Sequence, residues 1–309
     1  MIPEILAVIL VIAVITLTLK VAYSLGVTKG RRKSITAPRF VGQNNTANEF
    51  DGKVAIITGG GTGLGRAIAL ALSKRGARVV IASRKQEHLD ETAHAIRAMG
   101  GEVLTYSFDV RDPDQVNDMV KTTVDKFGRV DILVNNAAGN FVVPAEKLSP
   151  NGWRAVIEIV LNGSWFCTSA CGKQMIEQGS GSILNIVANY ASSGYPGVVH
   201  SAAAKAGVLN MTRTLACEWG QKGIRVNAFA PGTMPSKGAS GSRNLNFAAA
   251  GAMKKIESNI PLGRLTDAEE MAELAVFLLS DQAVYVSGEV FTADGGASMP
   301  RGFLDLEML

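Results

Sequence analysis

The chain is poor in the residues that build disulfide frameworks and metal centres: its 309 residues include three cysteines and three histidines. Cys167, Cys171 and Cys217 form no Cys-x-x-Cys and read as buried helix thiols in a reducing compartment. His88 and His94 fall on a polar helix at a spacing that does not share a face, so no metal site is expected. Charged residues make up 19% against 47% hydrophobic, a balance that excludes a disordered chain. An excess of charge is also missing from most of the chain. Residues 1–50 hold six basic and two acidic side chains, residues 51–309 hold 25 of each, and the net +4 therefore belongs to the N-terminal segment. A neutral body gives no electrostatic basis for a nucleic-acid partner. No internal repeat is present, and the 33 glycines follow no Gly-x-y period, which leaves them for turns and close backbone approaches.

What the N-terminal segment does have is a long apolar run. Residues 5–19 (ILAVILVIAVITLTL) are 15 residues without a charge, and beyond Lys20 the run continues to Val27. Fifteen helical residues cover about 22 Å and all 23 about 34 Å, against a hydrocarbon core of about 30 Å. A single span is feasible with Lys20 snorkelling near one interface. A cleaved signal peptide would carry a positive start, whereas residues 1–4 hold no basic side chain. Lys29, Arg31, Arg32 and Lys33 follow the run, which by the positive-inside rule keeps the body cytosolic. The expectation is a single-pass membrane anchor over 1–33, a polar linker over 34–50 and a catalytic-size domain over 51–309.

From Lys53 onward, short runs apolar on both faces alternate with amphipathic helical stretches. Strands are expected at 54–58, 77–83, 103–109, 131–135, 182–188, 224–229 and 288–292. Helices are expected at 87–99, 112–127, 150–178, 201–221 and 267–280, with another directly after the first strand. This is the pattern of an α/β fold: a single doubly wound Rossmann-type domain with a parallel sheet covered on both faces. Ligands in such folds bind beyond the C-terminal ends of the strands.

At the first such end stands Thr58-Gly59-Gly60-Gly61-Thr62-Gly63-Leu64-Gly65, between strand and helix. Glycines there permit a tight turn and let backbone N–H groups approach a pyrophosphate at the helix N-terminus. The second strand ends in Ser83-Arg84-Lys85, with two cations where an NAD-binding site would carry a carboxylate. That favours NADPH as cofactor, Arg84 facing the 2′-phosphate, although an exposed Arg with no ligand is the plain alternative.

These landmarks, with Asp109-Val110, Asn135-Asn136-Ala137, Asn162, Lys205 and Pro231-Gly232, resemble the short-chain dehydrogenase/reductase family from Lys53 to Gly296. The resemblance implies adenine contact at Asp109 and Val110, further cofactor contacts at Asn136 and Ala137, ribose contact at Lys205, and carboxamide contacts along Pro231, Gly232, Thr233 and Met234. It also implies a homo-oligomer, a tetramer by family habit. One element departs from the family. The usual Tyr-x-x-x-Lys window reads Ser201-Ala-Ala-Ala-Lys205, and the usual Ser position is Ala188. Ser201 is shorter than Tyr by a ring and far less acidic, so it does not replace a phenol that protonates an alkoxide. The chain is then either a non-catalytic relative or one with different chemistry.

Tyr190, just past the strand 182–188, offers the second course. Its placement is similar to the 2,4-dienoyl-CoA reductase branch, as are Asn135-Asn136-Ala137-Ala138-Gly139-Asn140-Phe141, the S-A-A-A-K-A-G window and P-L-G-R-L at 261–265. Reduction of a conjugated dienoyl thioester pushes negative charge onto the thioester oxygen, which calls for neutral donors. The resemblance gives that role to Tyr190 and Asn140, and a trans-3-enoyl-CoA as product. It implies that Lys205, helped by Ser201, holds the ribose hydroxyls, and that Asn162 belongs to the site. For the acyl-CoA it points to Arg111, Phe141, Ser149 and Arg243, the last in a Gly/Ser-rich stretch over 236–244. Tyr190 as a packed strand-end aromatic and Asn140 as a turn residue are the plain alternatives. His200 reads as a loop residue near the site.

Overall fold

The computed structural model describes residues 48–235 and 250–299, which belong to one compact unit of the chain. The expected anchor over 1–33, most of the linker and Arg243 lie outside the described residues.

Seven parallel strands form one sheet in the order β3-β2-β1-β4-β5-β6-β7. They are β1 Val54–Thr58, β2 Arg78–Ser83, β3 Val103–Ser107, β4 Ile132–Asn135, β5 Gly181–Ile186, β6 Ile224–Pro231 and β7 Val290–Ala293. Residues alternate between two cores. Ala55, Ile57, Val79, Ile81, Val134 and Leu184 face one side, where α1 (Gly63–Ser73), α2 (Gln86–Ala98) and α8 (Ala268–Leu279) cover them. Val54, Ile56, Val80, Leu133 and Ile183 face the other, under α3 (Pro113–Phe127), α5 (Gly163–Gln178) and α6 (Val199–Trp219). Burial on both faces is why the strands lack a polar alternate. The strand order reverses between β1 and β4, the position beyond whose strand ends open α/β sheets bind ligands.

Helix ends follow local chemistry. Asp112 caps α3, accepting from the N–H groups of Asp114 and Gln115, and Gly128 ends it in the left-handed region at φ 79°. Asp267 and Glu270 form a capping box on α8, and the Arg264 guanidinium reaches both Glu270 oxygens at 2.8 Å.

Several expectations shift. The helix expected over 150–178 is α4 (Pro150–Ile157) and α5 joined by a π-helical turn, Glu158–Asn162. It is long and apolar enough to span a bilayer, but half of its most apolar window is buried in the domain. Helix α6 starts at Val199, two residues early, so His200 is helical and fully buried rather than a loop residue. An additional helix, α7 (Ala250–Glu257), follows the Gly/Ser-rich stretch. Phe50, assigned to the linker, is 3% exposed in the first core.

Candidate active site

The glycine turn after β1 is shaped by near contact. A Cβ on Gly65 would lie 2.4 Å from the Gly59 carbonyl oxygen and 2.5 Å from Asn136 Nδ2, so only hydrogen fits there. Gly59 has φ +68° and a Cβ there would stand 2.8 Å from the same amide. Gly61 packs on the His88 backbone, and Leu64 is buried in the core. At Gly63, the first residue of α1, nothing lies within 4 Å of an added Cβ, and Thr62 provides no side-chain cap. An open, uncapped helix N-terminus behind a glycine turn fits a dinucleotide pyrophosphate.

Thr58 and Asn136 act as braces for that turn. The buried Thr58 hydroxyl donates to the Val134 carbonyl at 3.3 Å and accepts from the N–H groups of Asn136 and Ala137, both at 3.0 Å. Asn136 Nδ2 donates to the carbonyls of Thr58 (2.9 Å) and Gly59 (3.3 Å). Both side chains are occupied by protein, and they hold the β1 and β4 exits together. Beyond β2, Arg84 and Lys85 line a shallow depression of about 600 Å³ with His88 and Ser107. Val110 is core, 7% exposed, where it meets Gly163. Asp109 is bonded to Arg111, whose Nε lies 3.0 Å from both carboxylate oxygens, and that pairing holds the carboxyl below its usual pKa. An adenine residue and a CoA residue of the sequence reading thus satisfy each other here.

At the β5 exit the residues of interest converge. Tyr190 Oη lies 3.0 Å from Ser201 Oγ on α6, and Asn140 Nδ2 donates to the same oxygen at 3.4 Å. Asn140 is oriented by its own loop: its Oδ1 accepts from the Phe141 N–H at 2.9 Å, which turns the NH₂ group toward the phenol. Lys205, one helical turn after Ser201 and 7% exposed, donates to the Ile186 carbonyl. Burial pulls its pKa down to about 8. Asn162 ends the π-helical turn, a distortion that often marks functional positions.

Phe141 packs edge-to-face on His200, with ring centroids 4.4 Å apart. Among the described residues neither His200 ring nitrogen has a hydrogen-bond partner, and burial lowers the imidazole pKa. Ser149, expected at the acyl-CoA, is the N-cap of α4, accepting from the Gly152 N–H at 3.1 Å. Among the nicotinamide-end residues, Gly232 donates to the Ala293 carbonyl at 2.8 Å, the Thr233 carbonyl accepts from Thr266, and Met234 packs on the first core. Cys167 and Cys171 are buried in α5, and burial pushes the Cys167 thiol up to about 12, whereas Cys217, expected to be buried as well, is exposed on α6. Among the described residues, no group of three His, Cys, Asp or Glu could hold a metal ion.

Two polar clusters were not read from the sequence. Beneath the site, Asn135 Nδ2 donates to Asn185 Oδ1 and Thr168 Oγ1, both at 2.8 Å, and Asn185 Nδ2 donates to Thr212 Oγ1 at 2.9 Å. Beside it, Asn189 Nδ2 donates to Asp294 Oδ2 at 3.0 Å. The polar residues within otherwise apolar strand runs, and Asp294 before two glycines, were the available signals.

Residues 59–298 match the family described as Enoyl-(Acyl carrier protein) reductase. A Bacillus subtilis (strain 168) protein named "Probable 2,4-dienoyl-CoA reductase [(2E)-enoyl-CoA-producing]" is 52% identical over 246 residues, 79% of this chain and 96% of that one. A short-chain dehydrogenase of Bacillus anthracis superposes with TM-score 0.74 at 49% identity, covering 81% of this chain and 98% of its own. A putative NAD(P)-dependent gluconate 5-dehydrogenase of Beutenbergia cavernae, solved with bound NADP, gives TM-score 0.74 at 35% identity over 80% of this chain and 97% of its own. With the glycine turn, the parallel sheet and these relatives together, the chain belongs to the short-chain dehydrogenase/reductase family of oxidoreductases.

Proposed function

We propose that the chain is an NADPH-dependent 2,4-dienoyl-CoA reductase that yields a trans-3-enoyl-CoA. The observation that carries this reading is the trio at the β5 exit, where the Tyr190 hydroxyl meets Asn140 Nδ2 at 3.4 Å and Ser201 Oγ at 3.0 Å. Two neutral donors converge there, on the side of the sheet where the glycine turn opens. When bound, the dinucleotide supplies a hydride. As the δ carbon of the dienoyl thioester accepts that hydride, its π electrons shift toward the thioester oxygen, and Tyr190 O–H and Asn140 N–H₂ stabilise the charge. The dienolate then takes a proton from water at the α carbon, leaving one double bond between the β and γ carbons. Ser201 accepts from or donates to Tyr190 and fixes its rotamer, and Lys205 holds ribose hydroxyls and raises the local positive potential. Arg84 and Lys85 support NADPH over NADH.

The family description, enoyl reduction on a carrier protein, and a 38% identical Synechocystis relative named "3-oxoacyl-[acyl-carrier-protein] reductase" favour a second reading, reduction of an enoyl or oxoacyl thioester on a carrier protein. Reducing a ketone needs an acid at the alkoxide, and Ser201 occupies that helix position. NADPH oxidation by the full chain, compared across 2,4-hexadienoyl-CoA, crotonyl-CoA and acetoacetyl-CoA, separates the two. Turnover confined to the dienoyl substrate is expected, and a preference for acetoacetyl-CoA contradicts the proposal. The Bacillus subtilis relative's name specifies a 2E product, so chromatography of the product against 2-enoyl and 3-enoyl standards tests the regiochemistry. The apolar run with its basic flank supports a single-pass anchor with the domain in the cytosol, and release of the full chain by carbonate would refute that.

A further inference from the structure

Tyr190 does not stand on a helix. It follows β5 on a loop, so its phenol needs support that a helical position would give for free. Backbone bonds close part of that loop: the Val187 N–H donates to the Phe229 carbonyl at 2.8 Å, Ala191 to Ala188 at 2.9 Å and Gly194 to Tyr190 at 2.9 Å. The preceding side chain supplies a lateral tie, because Asn189 Nδ2 reaches Asp294 Oδ2 at 3.0 Å across 105 residues of sequence.

Asp294 is built to hold that partner. It is 6% exposed, and its oxygens also accept from the N–H groups of Gly296 (3.0 Å) and Ser298 (2.9 Å). Burial works to raise its pKa, and the bonds from Asn189, Ser298 and Gly296 more than offset it, leaving an ionised acceptor. The same turn grips the β6 exit. The Ala293 carbonyl accepts from Gly232 at 2.8 Å, and a Cβ on Gly232 would stand 3.0 Å from Asp294 Cα. The Gly295 carbonyl accepts from Leu262 at 3.2 Å.

We propose that Asp294 is a positioning residue, fixing Tyr190 through Asn189 and tying it to the loop at Pro231–Thr233. The proposal rests on Tyr190 being the donor to the thioester oxygen. The carboxylate thereby sets the distance between the phenol and the loop assigned to the nicotinamide, two parts that must register for hydride transfer.

The test uses the full chain and the variants N189A, N189D and N189D/D294N. N189A removes the tie and leaves the Asp294 turn intact. Its kcat with 2,4-hexadienoyl-CoA should fall about tenfold, with the KM for NADPH and the Tm nearly unchanged, as misplacement of a reacting group predicts. N189D places two carboxylates together and should lose more. The exchanged pair, N189D/D294N, restores a donor and an acceptor and should recover part of the loss. An undiminished kcat in N189A, or no recovery in a folded exchanged pair, overturns the proposal. Amide hydrogen exchange over residues 187–195 gives a second readout that needs no substrate: N189A should speed it about tenfold or more. If wild type fails to reduce the dienoyl substrate, the functional reading falls, and exchange alone decides the tie. Unchanged exchange in N189A overturns it, whether or not the exchanged pair folds.

Discussion

Replacing Lys205 with methionine should make the protein more stable and inactive. The ammonium is 7% exposed and carries three donors, of which the Ile186 carbonyl takes one among the described residues. Its pKa falls from 10.5 to about 8 through burial. At ~1.4 kcal/mol per pKa unit, that displacement corresponds to roughly 3 kcal/mol. The sign follows from proton linkage. Below pH 8 the lysine is charged in both states, and the folded state bears the desolvation cost. Between about 8 and 10.5 the unfolded chain binds more protons, so stability from this group rises with pH until the cost is gone. Methionine has similar length and no charge, and it leaves the Ile186 carbonyl without its donor, a loss of about 1 kcal/mol. The net expectation is that K205M gains about 2 kcal/mol at pH 7 in the absence of cofactor. Urea unfolding of both proteins at pH 7, 8.5 and 10 is the assay, because other titrating groups cancel in the difference. The K205M advantage should shrink as pH rises. Parallel stability curves, or a K205M protein less stable at pH 7 by several kcal/mol, would refute the reasoning.

Gly65→Ala places a methyl 2.4 Å from the Gly59 carbonyl oxygen, so the turn must open. NADPH binding followed by fluorescence should be lost, with a stability cost of about 1–3 kcal/mol in thermal unfolding. Arg84→Ala should weaken NADPH about 10- to 100-fold while changing NADH little, since one charge-assisted contact contributes about 1.5–3 kcal/mol. Equal losses for both dinucleotides would remove Arg84 from the 2′-phosphate.

The layered sheet was legible because its signal is local: strands apolar on both faces, a glycine turn after the first, and helices of clear period. The resemblance, rather than any local pattern, groups Tyr190, Asn140, Ser201 and Lys205, and the structure brings the first three within hydrogen-bonding distance. What stayed hidden depends on distant partners. Thr58 and Asn136 matched a cofactor motif, but their side chains are spent on each other's strands, 76 to 78 residues apart. Ser149 matched a substrate position and is a helix cap. The π-helical turn before Gly163 leaves the apolar pattern of 150–178 continuous, so periodicity alone did not show it. Asn189 and Asp294 are each ordinary turn residues until the fold places them side by side.

The most direct test compares Tyr190→Phe with Ser201→Ala in the full chain, by kcat for NADPH oxidation with 2,4-hexadienoyl-CoA. Removing the phenolic hydroxyl deletes a donor aimed at the developing oxyanion and should lower kcat by about 10²–10³. Removing the Ser201 hydroxyl deletes a support for that donor and should cost about tenfold or less. A Tyr190→Phe enzyme that keeps its rate while Ser201→Ala loses it would contradict the account.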